Sequence, residues 1–125
     1  MTLARQRLGR RAELIAATRL ERAGWRIVAR NARTREGEID LIAVEGLTLA
    51  FVEVKAGRVG SGSGPERPAL AVDAAKRRRL RRLARAWLGG SARVPPHREL
   101  RFDVVGISFE RDGRVASYEH IRDAF

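Results

Sequence analysis

Two neighbouring apolar segments restrict the fold of this chain more than any other feature of its sequence. Residues 38–44 read EIDLIAV and residues 47–55 read LTLAFVEVK, with only Glu45 and Gly46 between them. Both segments have the length and apolar content of strands, and a two-residue connection that contains glycine is typical of a tight β-hairpin. The sequence therefore predicts an antiparallel strand pair with Glu45 and Gly46 as its central turn residues.

Helical patterns stand on either side of this pair. Apolar residues recur with helical spacing over residues 6–23, and Gly24 follows as a stop signal. Asp73 is the expected N-cap of a second helix, which extends to Leu88 and ends at Gly89. Two amphipathic helices are therefore expected, one before the strand pair and one after it.

Shorter apolar runs complete the predicted sheet. Strands are expected at residues 25–29, 100–109 and 115–121, whereas residues 31–37 read as a charged turn region and residues 123–125 allow at most one helical turn. Residues 56–70 are rich in Gly, Ser and Pro and are predicted to form a mobile loop. The order α-β-β-β-α-β-β over residues 1–125 predicts a single α/β domain in which helices pack on a mixed sheet.

The charge of the chain narrows the class of partner. Its 26 Lys and Arg residues against 15 Asp and Glu give a formal net charge of +11, carried mostly by Arg. The planar guanidinium matches the geometry of phosphate oxygens, so we expect an anionic polymer, first of all a nucleic acid, as the partner. The alternative for any single arginine is an Arg-rich composition spread over solvated faces.

The second helix concentrates this charge, since seven of its ten residues at positions 76–85 are basic. Lys76 falls at helical spacing with Leu80, Leu83 and Trp87, so we expect it on the core-facing stripe, with arginines on the remaining surface. The predicted nucleic-acid-binding residues are Lys76, Arg77, Arg78, Arg81, Arg82 and Arg85.

The lack of cysteine and of long apolar segments indicates which cofactors and which cellular compartment to expect. The chain has no cysteine, which excludes disulfides and thiolate metal sites. Its first residues show no apolar signal segment, and no apolar run approaches the roughly 20 residues of a membrane span. We therefore expect a cytoplasmic protein that does not associate with membranes.

Three polar side chains of the strand pair are predicted to point at one place. Side chains alternate along a strand, so Glu53 and Lys55 share a face with Phe51, and Asp40 shares a face with Ile42. With the two-residue turn, Asp40 lies opposite Phe51 and diagonal to Glu53, at a Cα separation of about 7–8 Å. Two carboxylates at that distance either share a proton or bind one cation between them.

Hard oxygen ligands without a cysteine or a nearby histidine favour Mg²⁺ or Mn²⁺ over zinc. Lys55 could then orient or activate a water molecule and stabilise charge on a phosphate. Glu13 lies at the edge of the packed stripe of the first helix and adds a further acid. Each signal also has a simpler explanation when it is taken alone. Glu53 and Lys55 could form only an ion pair, and Glu13 could be an acid that the dipole of the first helix favours near its N-terminus.

With these residues identified, the chain resembles the PD-(D/E)xK, or restriction-endonuclease-like, superfamily. Within it, the chain is similar to the YraN-like bacterial uncharacterised protein family, itself akin to archaeal Holliday junction resolvases. The resemblance covers nearly the whole chain and depends most on GEIDLI at residues 37–42 and FVEVK at residues 51–55. It implies a three-layer sandwich in which Asp40, Glu53 and Glu13 bind the metal and Lys55 is the catalytic lysine.

The leading functional hypothesis is therefore a metal-dependent nuclease that hydrolyses DNA phosphodiester bonds, on branched or repair intermediates. The first alternative is a nucleic-acid-binding accessory protein without turnover that uses the same basic surface. A third is a protein that binds acidic protein partners. A homodimer would suit the cutting of two strands, although no exposed apolar stripe requires one.

Overall fold

The computed structural model describes residues 3–60, 67–90 and 93–125 and shows an α/β fold. Its elements in chain order are α1 (Leu3–Arg22), β1 (Arg26–Thr34), β2 (Gly37–Glu45), β3 (Thr48–Arg58), a 3₁₀ turn (Pro68–Leu70), α2 (Ala74–Leu88), β4 (Glu99–Phe109) and β5 (Val115–Ile121). Within these ranges the strands form one sheet in the order β1-β2-β3-β4-β5. All neighbours are antiparallel except β3 and β4, so the predicted α/β class with a mixed sheet is confirmed.

The two α-helices cover opposite faces of this sheet. On one face, Ala16 and Leu20 of α1 belong to the same buried cluster as Val52 of β3. On the other face, Leu83 of α2 is buried with Phe51. Because Phe51 and Val52 are consecutive in a strand, their side chains point to opposite sides, and the sheet is enclosed between the helices. No helix in the described ranges is long and apolar enough to cross a bilayer.

The β2–β3 hairpin turns one residue later than predicted. Its central residues are Gly46, with a φ of 60°, and Leu47, which is the glycine-first pattern of a type II′ turn. The register is therefore displaced by two residues, and Ile42 pairs with Phe51 rather than with Leu49. Because side chains alternate with a period of two, a displacement of two residues leaves Ile42 on the same face as Phe51 and changes only its partner.

The turn predicted at residues 31–37 is mostly strand, because β1 extends to Thr34 and leaves only residues 35–36 for the connection. β1 is an edge strand, so its arginines can face solvent while Ala32 between them is buried. A polar composition that resembled a turn is thus the exposed side of an edge strand. At the other end of the chain, residues 123–125 form no helical turn.

The loop predicted at residues 56–70 begins later than expected. β3 continues to Arg58 because it is paired in parallel with β4 along its whole length. Residues 61–66 of this predicted loop lie outside the described residues. The chain then crosses β4 through the turn Pro68–Leu70, at Gly106, where an added Cβ would lie 2.3 Å from the backbone nitrogen of Ala69. A glycine at position 106 is therefore required for the crossing.

Buried charges attach the C-terminal strands to the sheet. Asp103 is fully buried and accepts hydrogen bonds from the Arg101 Nε at 2.8 Å and Nη2 at 3.0 Å, and from the Asp123 backbone N–H at 3.0 Å. Its Oδ2 also lies 2.8 Å from the His120 Nε2. The His120 ring packs against Trp25 with a centroid separation of 5.4 Å. This network stabilises the fold at a distance from the acids discussed below.

Candidate functional site

β3 places Glu53 and Lys55 side by side on the face covered by α2. The Lys55 Nζ lies 3.2 Å from the Glu53 Oε1, and the two side chains are 26% and 23% exposed. They line a small cavity of about 40 Å³ together with Lys76 and Arg79. An acid and a base on one face of an otherwise apolar strand therefore form an ion pair at the mouth of a basic recess.

Asp40 lies where β2 and β3 separate. The paired residues of the two strands end at Leu41 and Val52, and just beyond them the Val54 backbone N–H donates to the Asp40 Oδ2 at 2.8 Å. Extending the register by one residue sets Asp40 opposite Glu53, rather than diagonal to it as the sequence predicted. The side chain of Asp40 thus takes a hydrogen bond at the position where the strand pairing stops.

The Asp40 carboxyl is held in an environment that opposes its ionisation. Burial raises its pKa from 3.8 to about 8, with further increases from the charges of Glu53 and Glu13, and the Val54 N–H only partly offsets them. Two carboxylates about 4 Å apart repel by about 4 kcal/mol at the effective dielectric of such a site. In the metal-free protein at neutral pH, Asp40 is therefore mostly protonated.

Glu13 reaches the same place from α1. Burial raises the pKa of Glu13, while hydrogen bonds to Asp40 and Asn31 and the charge of Arg10 act in the opposite direction. The proton of the pair therefore resides on Asp40, which donates to the Glu13 carboxylate. Asp40 links Glu13 on one side to Glu53 on the other, so the structure brings the three predicted acids and Lys55 into one neighbourhood.

Asn31 belongs to this site and was missed by sequence reasoning. It lies in β1 with a φ of 49°, in the left-handed region, which asparagine tolerates better than other non-glycine residues. Its side chain hydrogen-bonds Glu13. The sequence placed Asn31 in a charged turn region, where asparagine is common, so its residue type gave no signal.

The carboxylates of Asp40 and Glu53 are oxygen donors of the kind that Mg²⁺ and Mn²⁺ prefer. In residues 3–60, 67–90 and 93–125, no group of three or more His, Asp or Glu side chains is arranged to hold a metal ion. Mg²⁺ commonly uses only one or two carboxylates and keeps several waters, which matches Asp40 and Glu53. An ion between them would also remove the repulsion that keeps Asp40 protonated.

The basic residues of α2 divide differently from the prediction. Lys76 is exposed, although it lines the same cavity as Leu80 and Leu83 of the buried stripe. The Lys76 Nζ donates to the Ala71 carbonyl at 3.2 Å. Arg79, which was not among the predicted binding residues, lines the cavity beside Lys55.

The guanidinium groups of Arg77 and Arg81 lie 5.5 and 5.9 Å from the centre of the Phe125 ring. Sequence analysis had placed both side chains on the solvent-facing surface as phosphate ligands, and both are exposed, but each has an aromatic partner. The C-terminal position of Phe125 gave no local signal for this contact. Arg82 and Arg85 instead line a recess with Arg35 and Glu36.

Comparison with known proteins gives the family. A profile of the family described as "Uncharacterised protein family UPF0102" matches residues 12–107. A UPF0102 protein of Moorella thermoacetica is 43% identical over 125 residues, covering 100% of both chains. One of Rhodococcus jostii is 49% identical over 118 residues, covering 94% of this chain and 95% of the relative. One of Chlorobium chlorochromatii is 45% identical over 122 residues, covering 94% and 90%. The expected family is thus confirmed, and the chain belongs to the uncharacterised protein family UPF0102.

Proposed function

We propose that this protein is a metal-dependent nuclease with a restriction-endonuclease-like fold, which hydrolyses phosphodiester bonds of DNA. The observation that carries the proposal is the position of Asp40, whose carboxyl accepts the Val54 N–H and is electrostatically coupled to both Glu53 and Glu13. A structural acid in a sheet is normally paired with a cation, as Asp103 is with Arg101. Asp40 has acids as its neighbours instead, which is costly unless a cation binds there.

Each residue then has a definite role. Asp40 and Glu53 would hold Mg²⁺ or Mn²⁺, with Glu13 supporting Asp40, and the ion would supply Lewis-acid activation of water and of the phosphate. Lys55, already 3.2 Å from Glu53, can donate hydrogen bonds to the attacking water and to a phosphate oxygen. Water adds to phosphorus as the bond to the leaving oxygen breaks, the water's proton passes to solvent, and the leaving oxygen takes up a proton from solvent to become a hydroxyl.

The net charge of +11 suits a nucleic acid substrate. It does not by itself require catalysis, and one observation favours the alternative of a non-catalytic DNA-binding accessory protein. Lys55 and Glu53 already neutralise one another, so the pair could serve structure alone. The two functions make different use of acids in a recess that faces phosphates. A nuclease needs them to bind its metal ion, whereas a protein that only binds DNA would bind more tightly without them because they repel phosphates.

Two measurements distinguish these functions. Thermal melts with Mn²⁺ should show stabilisation of the wild type, by about 2.7 kcal/mol at a metal concentration 100 times the Kd, and none of Asp40→Asn with Glu53→Gln. Cleavage of linear, flapped and four-way DNA with Mg²⁺ or Mn²⁺ should be abolished by Lys55→Ala while DNA binding is nearly retained. Equal responses of the wild type and the double variant to Mn²⁺ would exclude this metal site. No cleavage of any substrate by the wild type would favour the accessory protein.

A further inference from the structure

The arginines of α2 form two flanks with different surroundings. On one flank, Arg77 and Arg81 lie over Phe125, and Arg81 also lies 5.8 Å from the centre of the Phe102 ring. The two phenylalanine rings are stacked at 5.5 Å, so this aromatic flank (Arg77 and Arg81) packs on the C-terminus of the chain. Cation–π contacts of this kind hold the guanidinium near the ring.

The opposite flank faces the β1–β2 connection. The Arg79 Nη2 would lie 3.0 Å from a Cβ at Gly37, so the Arg79 guanidinium passes close over the backbone at that position. Gly37 has a φ of 136°, which favours glycine. Arg79 thus rests on the start of β2, between the Lys55 cavity and residues 35–36.

From Arg79 the basic surface continues along α2 toward the β1–β2 connection. Arg82 and Arg85 line a recess of about 220 Å³ with Arg35, and Arg35 also lines a second recess of about 510 Å³ together with Arg33. The acids beside this surface are Glu36, in the first recess, and Glu38, which lies 3.5 Å from the Arg33 Nε. We call Arg33, Arg35, Arg79, Arg82 and Arg85 the hairpin flank.

The hairpin flank has the cations that a phosphate-binding surface needs, although its larger recess is also lined by Ala29, Ala32, Ala86 and Trp87. Positions 79, 82 and 85 are three residues apart, so each step rises about 4.5 Å along the helix axis and turns about 60° around it. The large apolar side chains exposed among the described residues are Leu3, Leu14, Leu47, Val59, Leu70 and Leu100, and none of them lines either recess. Protein interfaces usually have an apolar core, whereas backbone phosphates need only cations.

We propose that the hairpin flank binds the backbone phosphates of DNA and leads one strand to the recess formed by Glu53, Lys55 and Arg79. The proposal rests on the proposed function and adds the path of the substrate to it. It separates the arginines of a single helix into those that contact DNA and those that hold the C-terminus.

Two triple variants of α2 test this path. Arg79, Arg82 and Arg85 are changed to Gln in one, and Arg77, Arg78 and Arg81 in the other, so that each lowers the net charge from +11 by three, to +8. Arg and Gln have similar helix propensities, which keeps the helix comparable. Binding to duplex DNA is measured with EDTA at several salt concentrations, so that cleavage plays no part.

The hairpin-flank variant should reduce the slope of log K against log salt by about 2 to 3, since each lost phosphate contact removes about 0.9. The matched variant should reduce it by less than about 1. Equal reductions in both variants, or the larger reduction in the matched one, would overturn the proposal. A failure of the nuclease function would appear only in the cleavage assay and would leave this comparison intact.

A second measurement does not depend on removing arginines. Because the chain has no cysteine, single thiols can be placed by Glu36→Cys beside the hairpin flank and by Glu99→Cys at the opposite end of the sheet. Both glutamates are exposed, so both thiols should react with an alkylating reagent in the free protein. Saturating DNA should slow the reaction at position 36 at least about tenfold and at position 99 less than about twofold. Equal protection at both positions would contradict the proposed path.

Discussion

Asp40→Asn should make the metal-free protein more stable at neutral pH, although it removes the central residue of the candidate site. Asparagine keeps an oxygen that can accept the Val54 N–H and gains an amide that can donate to Glu13. It carries no charge, so the conflict with Glu53 and Glu13 disappears. The substitution therefore exchanges a strained titrating group for a neutral one of nearly the same shape.

The magnitude follows from the shift in the pKa of Asp40 from 3.8 to about 8. Because the folded pKa lies above the unfolded one, the stability from Asp40 is fully present below about pH 4 and is lost as pH rises to about 8. One pKa unit corresponds to about 1.4 kcal/mol, so the loss reaches about 4 kcal/mol at pH 7 as an upper estimate. The carboxyl is only half-buried, and because solvent screens part of its interaction with the other acids we expect roughly half of that value.

The measurement is urea unfolding of both proteins between pH 5 and pH 8 with a chelator present. The difference in free energy of unfolding, variant minus wild type, should increase with pH by about 0.7–1.4 kcal/mol per unit. Asp112→Asn, in the exposed turn between β4 and β5, is the control for loss of one carboxylate. A difference that stays constant from pH 5 to pH 8 would show that Asp40 ionises normally, and the reasoning about its neighbours would be wrong.

Three further substitutions test the fold around the site. Gly106→Ala should destabilise the protein by about 1–3 kcal/mol or more in chemical denaturation, because the new Cβ meets the backbone of Ala69 at 2.3 Å; wild-type stability would show that the crossing is wrongly placed. Asp103→Asn should cost about 3–5 kcal/mol at pH 7, since it leaves buried cationic partners without their acid. Burial opposes ionisation of Asp103, but its hydrogen bonds lower the pKa below the ordinary value, so this difference should shrink as pH falls below about 4; a pH-independent cost would contradict that direction. Phe125→Ala should lower the stability by about 1–2 kcal/mol and increase the proteolysis of the C-terminus, because the stack on Phe102 is lost; an unchanged melting curve would mean that Phe125 does not pack there.

The positions of Glu53 and Lys55 show what can be predicted from the alternation of residues within one strand. Their shared face follows from the period of two along a strand, and it needs no knowledge of neighbouring strands. Even the wrong turn residues in the β2–β3 hairpin left Ile42 and Phe51 on one face, because the register error was two residues and not one. The class of fold followed in the same way from repeating apolar spacing within each element.

Contacts between distant segments could not be predicted by this reasoning. Asn31 reaches Glu13 through a left-handed backbone conformation, which cannot be predicted from the spacing of apolar residues along the strand. The partners of the α2 arginines depend on where Phe125 packs, and on the close passage of Arg79 over Gly37.

By itself, the sequence determined the α/β class, the order of elements and the set of acids and base that share one end of the β2–β3 pair, because these depend on periodicities within a few residues. Only the tertiary structure decided that Asp40, within the residues that the structure describes, is surrounded by the acids Glu53 and Glu13. It also decided that Arg79, rather than Arg77 or Arg81, lies beside Lys55. The physical reason is that helix rotation, strand register and chain-end packing are set by the complementary shapes of surfaces far apart in the chain.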